Sequence, residues 1–233
     1  MPHEEISWWN FNLPRYQQTS TCPEALLHVS KKDKDIIGSW DSDYDRLRWV
    51  EVKEIIAANR IDTFQRVPSD LLRYRQYIHT LEKIHGSVLK YIQNDLLKWP
   101  TIEPQGPPFT CPMDLKILYN DWPYGLDERI VHLVVWTKFE LEEEAKTGDL
   151  TTAARTAIQH YVDDTFGSRM DDGDVAWFKN WKSIKSIQAV EHFHVMLFDP
   201  DKNFVNQITG GHVPMCEKLR HCRVEKFKDS YLK

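Results

Sequence analysis

Two histidines, His192 and His194, stand two residues apart inside an apolar run, VEHFHVMLF, that has strand character. Successive side chains of a strand point to opposite faces, so both imidazoles project from the same side of one element. A neutral imidazole, with an ordinary pKa of roughly 6.5, serves as a general base near neutral pH, and a second ring can orient the first. The pair also has metal-ligand spacing, as in cupin-like and carbonic-anhydrase-like sites. A metal would need a further ligand such as Asp121, His132 or Glu191, and Glu191 falls on the opposite face of the strand. Core rings bonded to the backbone are the competing reading. The expectation is metal-free acid–base or nucleophilic work by His192 and His194, with no metal and no cofactor.

Other residues can serve such a site. Upstream of the pair lies VAWF, a second strand-like run, and beyond it Lys179, Lys182 and Lys185 at three-residue spacing with Asn180 among them. The segment Asp121-Trp122-Pro123-Tyr124-Gly125 joins a carboxylate, two aromatic rings and two turn residues. It is either a packed corner or a pocket wall. His132 lies within RIVHLVVWT, a continuous apolar run that reads as a buried strand. His212, Cys216, His221 and Cys222 could ligate zinc, but their spacing matches no common finger. The chain has no GxGxxG, GxxxxGK[ST], GxSxG or HExxH, so dinucleotide, P-loop, hydrolase-elbow and zincin chemistry have no motif support.

The elements that must position these residues read as follows. Residues 1–42 show few periodic signals and are expected to form an extended N-terminal arm anchored by Trp8, Trp9 and Phe11. Residues 43–233 are expected to form a single α+β catalytic domain. One helix is predicted from Asp43 to about Ala58. A second opens at Ser69 as N-cap, carries Leu72, Tyr77, Ile78, Leu81 and Ile84 as a buried stripe, and stops at Gly86. Ser87 caps a third, which Pro100 closes. After a proline-rich linker, MDLKILYND reads as a short helix, and Leu150–Phe166 as a longer one started by Thr151 or Thr152. A basic tail, partly helical, ends the chain. The order of helices, then strand, helix, strand, strand predicts an α+β fold with a small, mostly antiparallel sheet covered by the N-terminal helices.

Composition bounds the reading further. With 233 residues, 41% hydrophobic and 28% charged, the chain can bury a substantial core. Nine tryptophans allow stacking on a planar substrate as well as packing. The net charge of −5 hides a segregation: Arg46 to Lys90 carries more basic than acidic residues, and Glu140 to Asp174 is strongly acidic. Solvated helix faces explain this, as does a phosphate-binding surface on the first helices. The N-terminus has no apolar leader-like stretch and no run approaches bilayer length, so a soluble, cytoplasmic protein with reduced cysteines is expected.

HLVVWTK, a helix, WFKNW, a serine-containing turn and HFHVML resemble the layout of histidine-triad nucleotide-binding proteins. On that likeness His132 comes first, then Asn180, with His192 as the central nucleophilic histidine and His194 last. Val190 stands where the family has the first histidine of its triad, and Trp136 where it has Ile-Pro. A stronger likeness is carried by NRIDTFQRVPSDLLRYRQYIHTLEKIHGSVLKYI, ILYNDWPYGLDERIVHLVVWTK and WFKNWKSIKSIQAVEHFHVML. These segments resemble the fungal N-acetylglucosamine-induced protein family, and through it fungal arginine-containing cyclodipeptide synthases.

That resemblance implies an aminoacyl-tRNA-dependent acyltransferase of secondary metabolism, using arginyl-tRNA and a second aminoacyl-tRNA. On that reading Arg66, Arg73, Arg75, Lys182 and Lys185 face the nucleic acid. Asp121 or Glu191 receives the arginine guanidinium. The substrate pocket is completed by Trp122, Tyr124, His132, Trp177, Lys179, Asn180 and Trp181, with His192 or His194 as base. Neither ATP nor a metal is required, because the tRNA ester is already activated. The rival functions are a histidine-triad-type nucleotide or nucleotide-sugar transferase, and a non-catalytic binding protein of amino-sugar metabolism.

Overall fold

The computed structural model describes residues 6–181 and 190–220. Lys182, Lys185, His221 and Cys222 therefore lie outside the described residues. The part of the expected arm that is described is folded rather than extended. It makes 3-10 turns at Trp8–Asn10, Arg15–Gln17 and Glu24–Leu26 and a helix α1 (Lys31–Ile37), capped by the Ser30 side chain. Leu26 and Ile37 are buried in one cluster with Tyr77 and Leu81. The apolar residues of this segment follow no single period, so the sequence alone reads as an extended arm.

Helix α2 (Trp49–Ala57) begins later than the pattern suggests, because Leu47 pairs with Leu126 in an isolated bridge instead. Helix α3 (Pro68–His85) starts one residue before the expected cap, with proline at its first position, where a missing N–H costs nothing. Ser69 is thus inside the helix, and its N–H donates to the Asp41 carboxylate at 2.9 Å. Leu72, Tyr77 and Leu81 are buried as expected, while Ile84 stays exposed. Gly86 ends the helix at φ 76°, a left-handed conformation that glycine adopts without strain. Ser87 caps α4 (Val88–Tyr91), which continues as a wider π turn to Leu97.

Four strands form one antiparallel sheet in the order β1-β2-β4-β3. They are β1 (Leu115–Tyr119), β2 (Ile130–Thr137), β3 (Val175–Phe178) and β4 (Glu191–Phe198). β1 corrects the helix expected over MDLKILYND. Five residues of mixed apolar character are ambiguous locally, and pairing along the edge of β2 decides for a strand. Helix α5 (Thr152–Phe166) lies between β2 and β3, with Thr151 accepting from the Ala154 N–H. Helices α6 (Lys202–Ile208) and α7 (Met215–Lys218) follow β4. None of the described helices is long and apolar enough to cross a membrane.

The sheet lies between two helical layers. One face carries Leu133, Val135, Phe193, Val195 and Leu197, packed on Ile158, Val162 and Phe166 of α5 and Phe204 and Val205 of α6. The other face carries His132, Val134, Trp136, His192, His194 and Met196, and the N-terminal helices cover it. Phe193 is fully buried at the centre of the apolar side. Phe193→Ala should lower unfolding stability by about 3–5 kcal/mol in a chemical denaturation experiment, through lost burial and the cavity left behind.

Candidate active site

Between the histidine face of the sheet and helices α1 and α3 is a cavity of about 690 Å³, a size suited to a small-molecule ligand. His192, His194, Trp136, Asn180, Asp121, Trp122, Tyr124, Tyr74 and Arg66 are among the residues lining it. The lining includes several aromatic rings, among them Trp136 from the sheet and Tyr74 and Tyr77 from α3.

The register places Trp136 opposite His192 and Val134 opposite His194, with His132 one step along the diagonal. His132 Nε2 lies 3.0 Å from His194 Nδ1, and Asn180 Nδ2 lies 3.2 Å from His194 Nε2. Asn120 closes the other end, its Nδ2 at 3.2 Å from His132 Nε2. The orientation of that amide follows from its neighbour, since the Trp122 N–H donates to Asn120 Oδ1 at 3.0 Å. Asn120 Nδ2 therefore donates to His132 Nε2, which must carry a lone pair. His194 then donates from Nδ1, and its Nε2 accepts from Asn180. On these assignments the donors run from both ends to His132 Nε2, whose single lone pair is shared by Asn120 Nδ2 and His194 Nδ1. Phe178 stacks on the His194 ring at 4.8 Å and an interplanar angle of 9°.

His132 stays neutral. Burial, with the Arg66 cation adding to it, pulls its pKa down to about 3. His192 is held separately. Its Nδ1 lies 2.9 Å from the Val190 carbonyl, which can only accept, so Nδ1 carries the proton and the neutral ring has its lone pair on Nε2. Trp136 lies against this ring at 4.6 Å between centroids. A cavity-lining imidazole with its tautomer set by a backbone carbonyl has the arrangement required of a general base or nucleophile.

Arg66 and Asp121 are among the charged groups of the cavity, which Lys32, Asp33, Asp62, Arg75 and Glu82 also line. Arg66 is half-buried, its Nε donating to the Trp122 carbonyl at 2.9 Å. Its guanidinium carbon lies 4.1 Å from the Tyr74 ring centroid and 5.5 Å from that of Tyr124. Asp121 Oδ1 accepts from the Met215 N–H at 3.0 Å and sits 3.6 Å from His212 Nε2. Burial raises the Asp121 carboxyl to about 6. The same burial holds His212 down at about 4. Among the described residues no three His, Cys, Asp or Glu side chains converge as a metal site.

The structure brings together His192, His194, Asn180, Asp121, Trp122 and Tyr124, and sets His132 directly behind them. Other expected pocket residues lie elsewhere. Trp177 is on the α5 face, its Nε1 donating to Gln159 Oε1 at 2.7 Å, because its position in β3 has the opposite parity to Phe178. Lys179 pairs with Glu143 and lies 3.6 Å from Glu191, so these charges are engaged with each other rather than with a substrate. Trp181 packs near α2 and donates to Asn59 Oδ1 at 3.3 Å. Of the expected arginines that are described, Arg66 and Arg75 both line the cavity, Arg75 paired with Asp33, while Arg73 binds Asp70 and the Cys216 carbonyl. Sequence reasoning missed Asn120. Its signal was an Asn directly before the DWPYG turn, where Asn bonds the backbone two residues on.

With the geometry in place, comparison with known proteins gives consistent results. The family described as Protein of unknown function (DUF3605) matches residues 48–198. N-acetylglucosamine-induced protein 1 of Candida albicans is 27% identical over 188 residues, covering 72% of this chain and 74% of that protein. An uncharacterised protein of Saccharomyces cerevisiae is 24% identical over 178 residues, covering 73% and 88%. Both bear out the fungal resemblance read from the sequence. The crystal structure of HTC1 is similar in fold, with a TM-score of 0.55 and 23% identity over 70% of this chain and 94% of that one.

His132 and Asp121 act on stability with opposite sign. His132 titrates near 6.5 when unfolded and at about 3 when folded, so between those values the unfolded chain binds more protons and stability falls with falling pH. Asp121 rises from 3.8 to about 6, so its contribution is present below 3.8 and lost as pH rises through 6. His132→Gln removes only the first effect. The stability advantage of the natural protein over this variant should shrink by about 2 kcal/mol between roughly pH 7 and pH 5 in urea titrations. A difference independent of pH would show that His132 is not buried neutral.

Proposed function

The chain belongs to the DUF3605 family, and from that premise we propose that it is an aminoacyl-tRNA-dependent acyltransferase that makes an arginine-containing cyclodipeptide in the cytoplasm, in fungal secondary metabolism. The observation that supports this most directly is His192, a cavity-lining imidazole whose Nδ1–H is bound to the Val190 carbonyl and whose Nε2 carries the lone pair.

In the reaction, the α-amine of one aminoacyl group attacks the ester carbonyl of the other. His192 Nε2 takes the amine proton and returns it to the departing ribose oxygen of the tRNA. A second, intramolecular attack of the same kind closes the six-membered ring. Two aminoacyl-tRNAs thus yield one diketopiperazine and two free tRNAs. His194 acts through its hydrogen bonds, holding the polar face of the sheet in one arrangement. Asp121 is the acceptor for the substrate guanidinium. Its Oδ1 is engaged by the Met215 N–H, Oδ2 has no hydrogen-bond partner among the described residues, and an arriving cation favours the ionised carboxylate. The aromatic walls take the second side chain.

Expression in a bacterial host, with extracts searched by mass spectrometry for cyclo-Arg-Xaa products, is the test. His192→Ala should cut product formation by about 10²–10⁴-fold, the usual contribution of a general base. Asp121→Asn should lose arginine selectivity while the protein remains folded. Soluble, folded protein with no such product, or a His192→Ala variant working at full rate, would sink the proposal.

A further inference from the structure

Arg66 carries a charge that the fold does not neutralise. Among the described residues no carboxylate lies within ion-pair distance of its guanidinium, although Arg48, Arg73, Arg75, Arg129 and Arg155 each have one. Its Nε is used by the Trp122 carbonyl, and the rings of Tyr74 and Tyr124 hold the plane of the group. That leaves both Nη groups without a hydrogen-bond partner among the described residues, in a cavity that also contains His192 and His194. A half-buried cation without a counter-ion costs desolvation energy that an arriving anion recovers. A guanidinium fixed by one internal hydrogen bond and two rings is also pre-organised, since little side-chain freedom remains to be lost on binding.

We infer that Arg66 is the phosphate subsite of the cavity, and that the ligand it receives is a nucleoside phosphate. The two Nη groups bind the phosphate oxygens, and the aromatic walls around Trp122, Tyr124 and Trp136 receive the planar base. This deepens the acyltransfer reading and rests on it in one respect. There the nucleoside phosphate is the 3′-terminal nucleotide of the tRNA, whose ester must lie beside His192. A free mononucleotide presents the same chemistry to the same subsite.

Calorimetric titration of the full chain with AMP, adenosine and the RNA trinucleotide CCA separates these cases. AMP should bind, and Arg66→Gln should weaken it tenfold or more while leaving adenosine affinity unchanged. Arg66→Lys, which keeps the charge but not the planar fork, should fall between, and its melting temperature checks that the site still folds. CCA binding more tightly than AMP, with the same dependence on Arg66, identifies the tRNA terminus as the source. AMP binding more tightly identifies a free nucleotide. No AMP binding at millimolar concentration, or equal losses for AMP and adenosine in Arg66→Gln, overturns the inference. The titration is independent of catalysis: AMP binding that survives while no cyclodipeptide forms would remove the proposed reaction and keep the subsite.

Discussion

The pairing of β2 with β4 is the constraint on which the remainder of the structure depends. Eight residues of each strand run antiparallel, Ile130 against Phe198 through Thr137 against Glu191. Because side chains alternate, a slip of one residue would send His192 and His194 toward α5 and turn Phe193 and Val195 toward the cavity. The apolar side holds the register. Leu133, Val135, Phe193, Val195 and Leu197 are all fully buried against α5 and α6. The polar face of the sheet is thus positioned by the packing of the face behind it.

That polar face is buried too, which imposes a second requirement. A buried imidazole or amide without a partner costs on the order of 1–3 kcal/mol, and joining His132, His194, Asn120 and Asn180 in one chain lowers that cost, with His132 Nδ1 left without a hydrogen-bond partner among the described residues. Its members come from β2, β4, the turn after β1 and the segment after β3. The chain therefore ties all four strands together at the cavity. Burial keeps His132 neutral, and Arg66 adds to this from outside the sheet by opposing a second positive charge. Neutrality in turn allows His132 to accept hydrogen bonds. Within this frame the His192 Nδ1 is held by its own strand through the Val190 carbonyl, and the ring meets that of His194 edge to face at 5.5 Å.

Local signals and distant packing divided the legibility of the fold. Gly86, Ser87 and Thr151 do at their helix ends what their side chains dictate within a few residues. The runs VAWF and VEHFHVMLF form strands because branched and aromatic residues suit a pleated surface. β1 was misread because LKILY fits either a helix or a strand, and only the free edge of β2 chooses. The folded arm was misread because Leu26 and Ile37 find their partners on α3, far away in sequence. Trp177, Lys179 and Glu191 enter the substrate pocket only through the family resemblance, and strand parity already sets Glu191 on the face away from the histidines. Strand parity also turns Trp177 away, and the Glu143 carboxylate, which arrives from before α5, engages Lys179.

By itself the sequence determined the α+β class, the helix ends at Gly86, Ser87 and Thr151, the two strand runs VAWF and VEHFHVMLF, and the same-face placement of His192 and His194. Each follows from interactions within a turn or from the two-residue period of a strand, both of which are written locally. Only the tertiary structure decided that the histidines face a cavity, that Asn120 and His132 complete their chain, and that Arg66 points inward without a counter-ion. Those facts depend on which distant segments share a face and how closely they approach. Such information lies in three-dimensional packing, because contacts between residues far apart in the chain leave no period in the sequence.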